Sequence, residues 1–283
     1  MRYHNPKIPE GINISSTHPL ADFAWMLTGI ALGLLALVVS AHLLAAWLVP
    51  QLPFQFEQKI LRTVEPVWEI QTKLASADEK KADYLQKLAN RLAQQDTLPE
   101  GLVVKVRYIN TPKINAFATL GGNILIHQGL LDNLHTENGL AMVIAHELGH
   151  LVHRDPLLAT GRATVSLAAI ALISGFSETR VAENLFSLSA QSLLLSFSRQ
   201  QERRADQYAL NLLNGYYGHT AGATEFFESV ETLADNTRGY NQLLEFFDTH
   251  PNRGARMDTI AATISDPTAP LVPLPDFLSS TRR

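Results

Sequence analysis

The sequence predicts an α+β fold, predominantly helical with one small β-hairpin, preceded by a single membrane-spanning helix. Three observations predict it. Residues 23–49 (FAWMLTGIALGLLALVVSAHLLAAWLV) contain no Asp, Glu, Lys or Arg. Residues 102–127 hold β-branched runs flanking Leu120-Gly121-Gly122. Elsewhere the apolar residues recur at helical spacing, as at Tyr84, Leu85, Leu88 and Leu92, or Leu140, Ala141, Val143 and Ile144.

A chain of 283 residues is long enough for one or two domains. Its net charge of −4 and lack of basic runs exclude a nucleic-acid footprint. It has no cysteine, so disulfides and thiolate metal sites are excluded. Any metal must be held by His, Asp or Glu. A thiol-free chain is compatible with an oxidising compartment.

Residues 1–22 form a polar amino-terminal tail with Pro6, Pro9, Gly11 and Pro19. Residues 23–49 follow as the transmembrane anchor. About 27 residues at 1.5 Å each exceed the ~30 Å hydrocarbon thickness, so the run spans with some tilt. Trp25 and Trp47 sit near its ends, where interfacial aromatics belong. The run is too long for a signal peptide, and no A-x-A site follows it cleanly. The lipid bilayer is thus the first expected partner. Residues 50–75 read as a linker helix after Pro50 and Pro53.

The main domain is expected over residues 76–265. Ser76-Ala77-Asp78-Glu79 has capping-box spacing with Ser76 at the N-cap. Residues 102–109 read as a strand, and 115–119 with 123–127 as a hairpin across the glycines. Thr136 is expected to cap the next helix, with Gly139 where a capping Glu would usually stand. Asp155-Pro156 is expected to stop that helix. Residues 156–197 contain two apolar stretches too short to cross a bilayer, and are expected to be core helices, touching the bilayer at most. The proline-rich tail, 266–283, reads as a strap or a disordered end.

Inside the central helix stands His146-Glu147-Leu148-Gly149-His150. Residues four apart share a helix face, so His146 and His150 can both turn a ring nitrogen to one metal ion. Zinc suits imidazole and needs no redox partner. Glu147 is placed to take a proton from a water on that ion and pass it to a leaving amine. His153 also lies on this face. Seven residues span ~10 Å, too far for His146 and His153 to reach one zinc.

Three separated motifs resemble the zinc metalloproteases typified by the CAAX prenyl protease, HtpX and Oma1. They are Asn115-Ala116-Phe117 before the glycine hairpin, His146 to His150, and Glu202-x-x-Ala205-Asp206. Thr249-His250-Pro251, followed by Arg253 and Arg256, resembles a fourth. The likeness covers roughly residues 75–265.

The resemblance implies a zincin-like metalloprotease domain with one Zn2+ per chain. Glu202 would be the third ligand beside His146 and His150, leaving the fourth position to water. Asp206, four residues on, would orient a ligand imidazole, or else pair with Arg199 or Arg203. Asn115, Ala116, Phe117 and Gly122 would form an exposed edge against which a peptide adds as a strand, the alternative being an ordinary hairpin. His250 would stabilise the oxyanion or cap the zinc at rest, the alternative being a plain loop residue.

The expected activity is hydrolysis of protein or peptide substrates by a membrane-anchored zinc endopeptidase, in protein quality control. The alternative is a chaperone-like or binding module on the same scaffold. Arg2 and Lys7 before the span favour a bacterial inner-membrane protein with its catalytic domain in the periplasm.

Overall fold

The computed structural model describes residues 19–59, 78–174, 197–234, 250 and 253–280. Helix α1, Pro19–Leu48, is followed by a 3-10 turn, Val49–Gln51. The continuous stretch Leu20–Gln51 is long and apolar enough to cross a membrane, and almost none of it is buried against protein. Residues 54–59 are helical. Most of the expected linker, and Ser76, lie outside the described residues.

Helix α2, Glu79–Ala93, begins at Asp78, whose side chain accepts the Lys81 N–H. The cap is therefore Asp78, two residues beyond the expected Ser76. Leu85, Leu88 and Leu92 form its buried stripe. Three short strands follow: β1 Lys105–Ile109, β2 Ala116–Thr119 and β3 Asn123–His127. β3 is central, antiparallel to β2 and parallel to β1. The hairpin is as expected, but residues 102–104 stay outside the strand. Gly121 and Gly122 both take left-handed φ, +73° and +82°. A Cβ on Gly122 would lie 2.2 Å from the Val103 carbonyl oxygen, so this position is closed to any other residue.

A short helix α3, Gln128–Asp132, leads to α4, Glu137–Val152. The Thr136 hydroxyl caps α4 by accepting the Gly139 N–H. The glutamate missing from the local box comes from elsewhere. Glu225 accepts the backbone N–H of Thr136 at 3.1 Å, and also the His135 N–H and the Thr136 hydroxyl. Its carboxylate lies where a side chain on residue 139 would be, which gives the glycine its reason. α4 does not stop at Asp155-Pro156. It ends at Val152 with His153 as C-cap, Arg154 turns the chain with φ +59°, and Asp155 opens the next helix, α5, Asp155–Ser174.

Helix α6, Arg199–Tyr217, carries a full capping box between Ser198 and Gln201 and ends at left-handed Gly218. Helices α7, Glu225–Ala234, and α8, Arg253–Ala262, complete the described helices. One core joins α2, the sheet, α4, α6 and α7 through Leu88, Ile126, Ile144, Leu213 and Phe227. Residues 266–280 are a strap, not a loose end. Leu274 N–H donates to the His135 carbonyl, and Glu137 N–H to that of Val272. α5 departs from expectation, running along α1 instead of entering this core.

Candidate metal centre

α4 and α6 cross where Gly149 meets Ala205. A Cβ built on Gly149 would come within 3.0 Å of the Ala205 Cα. These small residues let the two backbones approach, and the approach brings Glu202 between His146 and His150. Glu202 also stands in the first turn of α6, where the helix dipole favours a carboxylate.

Four residues converge: His146, His150, Glu202 and His250, all buried. Their donor atoms are spaced like the corners of a coordination shell. His146 Nε2 lies 3.1 Å from His150 Nε2 and 3.4 Å from His250 Nδ1. Glu202 oxygens lie 3.5 Å from each of the first two and 3.2 Å from His250 Nδ1. A tetrahedral ion with bonds of about 2.0–2.1 Å has ligand-to-ligand edges of roughly 3.3 Å. The chemistry of the set, three imidazoles and one carboxylate, suits a divalent metal ion as well as the spacing does. The expected open position is taken here by His250.

The outer nitrogens are held as such a site requires. His146 Nδ1 lies 2.9 Å from Asp206, and His150 Nδ1 lies 2.9 Å from Asp155. Asp206 does not pair with Arg199 or Arg203. Its partner is Arg256, which donates Nε and Nη2 at 2.8 and 2.7 Å and also contacts Glu202. Asp155 further accepts from Gln201 at 2.6 Å and Arg204 at 3.1 Å. Phe197 stacks on the His150 ring at 4.0 Å.

Charge follows from this arrangement. Burial and the Arg256 charge oppose a proton on His146, but Asp206 and Glu202 outweigh them and raise its pKa to about 9. Against its own burial, Asp206 is held down to about 2 by Arg256 and His146. Glu202 is held far below the usual carboxylate range despite burial, through His250, His146 and His150. Burial lowers His250 even beside Glu202. The pocket thus favours positive charge at its centre.

Glu147 Oε2 accepts the Ala118 N–H at 2.6 Å, and Oε1 lies 3.6 Å from His250 Nε2. Oε1 itself has no hydrogen-bond partner among the described residues. Ala118 belongs to β2, the outer strand of the sheet. Since the Asn115 carbonyl turns inward to His127 N–H, Ala116 and Ala118 turn their backbone groups to the open edge. β2 is an edge, but its residues are mostly buried where an exposed strand was expected. Asn115 is buried, with both side-chain polar atoms unpartnered among the described residues. Phe117 packs on Ile109 and Leu125. Gly122 is taken up by the turn against Val103, so its glycine answers to packing. His153 bonds the Gly149 carbonyl, 2.7 Å away, and has no place in the cluster.

The sequence reading missed Asp155 and Arg256. In sequence Asp155 reads as a helix stop, although an acid five residues after His150 is within reach of its ring. Arg256 was noted only as part of a motif.

A family profile described as Peptidase family M48 matches residues 79–264. The chain is 29% identical over 196 residues to "Metalloprotease LoiP" of Escherichia coli (strain K12), covering 68% of this chain and 74% of that protein. It is 30% identical over 162 residues to "Mitochondrial metalloendopeptidase OMA1" of Arabidopsis thaliana, with 57% and 32% covered. A match of 30% over 162 residues to the "Beta-barrel assembly-enhancing protease" of Escherichia coli (strain K12) covers 53% and 32%. The shared part is thus about a third of those last two proteins.

Proposed function

Because the chain belongs to peptidase family M48, we propose that this metalloendopeptidase is a membrane-anchored zinc enzyme whose ligands are His146, His150 and Glu202. The observation that carries the reading is the cluster of buried donors at tetrahedral spacing beside Glu147. When bound, zinc supplies Lewis acidity, polarising a carbonyl and lowering the pKa of a water to roughly 7. Glu147 takes the water's proton and delivers it to the leaving amine. The Ala118 N–H fixes Glu147 Oε2 and leaves Oε1 for that exchange. Asp206 and Asp155 keep the two imidazoles turned inward.

Substrate pairs with the outward backbone groups of Ala116 and with the Ala118 carbonyl, and the Asn115 amide, unpartnered among the described residues, meets its main chain. His250 caps the site at rest, its Nδ1 being at ligand distance from the other donors. It must swing aside before a carbonyl can enter.

Glu147→Gln should retain one zinc per chain and the parent's melting temperature, while casein cleavage falls by about two to four orders of magnitude. Cleavage at the parent rate would overturn the assignment. The bilayer is held through residues 23–49, and the catalytic domain faces the periplasm of a bacterial inner membrane. The short amino tail with Arg2 and Lys7 supports that orientation. Protease added to spheroplasts should then digest the domain; protection until lysis would put it in the cytoplasm. Unfolded or membrane-associated proteins are the substrates that such a quality-control enzyme would meet.

A further inference from the structure

Helix α5 climbs the flank of α1. Leu157 and Leu158 pack with Val49 and Ala45. One turn on, Gly161 faces the Val49 side chain. Ser166 Oγ then lies 3.4 Å from His42 Nε2. As α5 advances from 157 to 166, its partners on α1 recede from 49 to 42. The helices are antiparallel, and α5 points into the zone occupied by the apolar span. Its side chains pass from buried at Asp155 and Leu157 to exposed at Arg162, Thr164 and Ser166. Residues 163–174 (ATVSLAAIALIS) contain no charge.

The hydroxyls on this outward stretch do not need water. Thr160 Oγ1 donates to the Pro156 carbonyl at 2.8 Å, and Thr164 Oγ1 to that of Thr160 at 2.9 Å. Ser166 meets His42, the one ionisable side chain within the charge-free span. Polar groups satisfied within a helix, or across a helix pair, are what a hydrocarbon surrounding demands.

We infer that α5 dips into the bilayer beside α1 as a half-depth helix, its outer face covered by lipid acyl chains. From Arg162, whose long side chain can reach the headgroups, to Ser174 is about 18 Å, short of the ~30 Å needed to cross. A single crossing is also excluded by what holds both ends. Asp155 bonds His150, and Phe197 stacks on the same ring, so the chain leaves and returns on one side. The dip starts at the residue that orients His150. The cluster therefore opens close to the headgroups, where it receives polypeptide lying at the membrane surface. The inference rests on α1 being in the bilayer.

The cysteine-free chain allows a direct test. Single nitroxide labels go on Thr164→Cys, Ala168→Cys and Ala171→Cys of the full chain, reconstituted in phosphatidylethanolamine–phosphatidylglycerol vesicles. Leu35→Cys reports the anchor and Asn211→Cys the aqueous surface. Collision rates with oxygen and with a water-soluble nickel chelate are measured. The oxygen-to-nickel ratio should rise severalfold from 164 to 171, approaching that at 35. If 35 reads as lipid while 164–171 match 211, or are shielded from both reagents as in a protein core, the dip is wrong and the anchor stands. An aqueous reading at 35 would overturn both.

Discussion

At the scale of single residues, the centre is set by what lies behind each ligand. Asp206 and Asp155 stand behind His146 and His150, and Arg256 stands behind Asp206 and Glu202. His250 differs from the other three donors. It comes from outside α4 and α6, the two helices that carry the other three, and its nitrogens lie near Glu202 and Glu147. A donor held this way can leave. His250→Ala should keep zinc through the other three ligands and cleave a short peptide faster than the parent. Glu202→Ala should lose the metal in elemental analysis. If His250→Ala instead falls to the activity of Glu147→Gln, His250 takes part in the chemistry and is not a cap.

At the scale of elements, two helices make the centre, and the depth of their crossing is set by Gly149 and Ala205. Gly149→Leu would push the α6 backbone away and carry Glu202 with it. Zinc affinity should fall by at least tenfold even though no ligand is changed; unchanged affinity by competition with a chelator would show that the crossing can relax. This scale also explains what could be read from the sequence. His146, Glu147 and His150 were legible because helical spacing alone puts them together. The hairpin was legible from its glycines, and Thr136 from its cap position. Glu202 and Asp206 came only through a resemblance, since no local rule says which of several acids a distant helix will present. Asp155 was missed because an acid before proline reads as punctuation, and its bond to His150 depends on the left-handed turn at Arg154. Glu225 replaces a local capping glutamate from 89 residues away, which local spacing cannot reveal.

At the scale of the whole molecule, the anchor and the catalytic domain share a buried polar joint. Arg154 donates Nε and Nη2 to Glu57 at 3.0 and 2.8 Å, bonds the Leu52 carbonyl, and lies over the Phe54 ring. The other Glu57 oxygen accepts the Gly121 N–H at 3.1 Å. Glu57 therefore ties the exit of the membrane helix to the end of α4 and to the turn beside β2. Removing one member of a buried ion pair costs about 3–5 kcal/mol, because the other charge is left in place.

That joint decides where the molecule can be cut. A soluble form trimmed to begin at residue 60 would look harmless on a hydropathy plot, yet it would strand the Arg154 guanidinium and free the Gly121 turn. It should melt well below a form beginning at residue 50, and cleave casein poorly even with zinc in excess. Equal melting temperatures and rates would show the joint to be dispensable. For anyone preparing this enzyme without its lipid helix, the practical boundary lies at Pro50, so that all of what composition alone would discard as linker is kept.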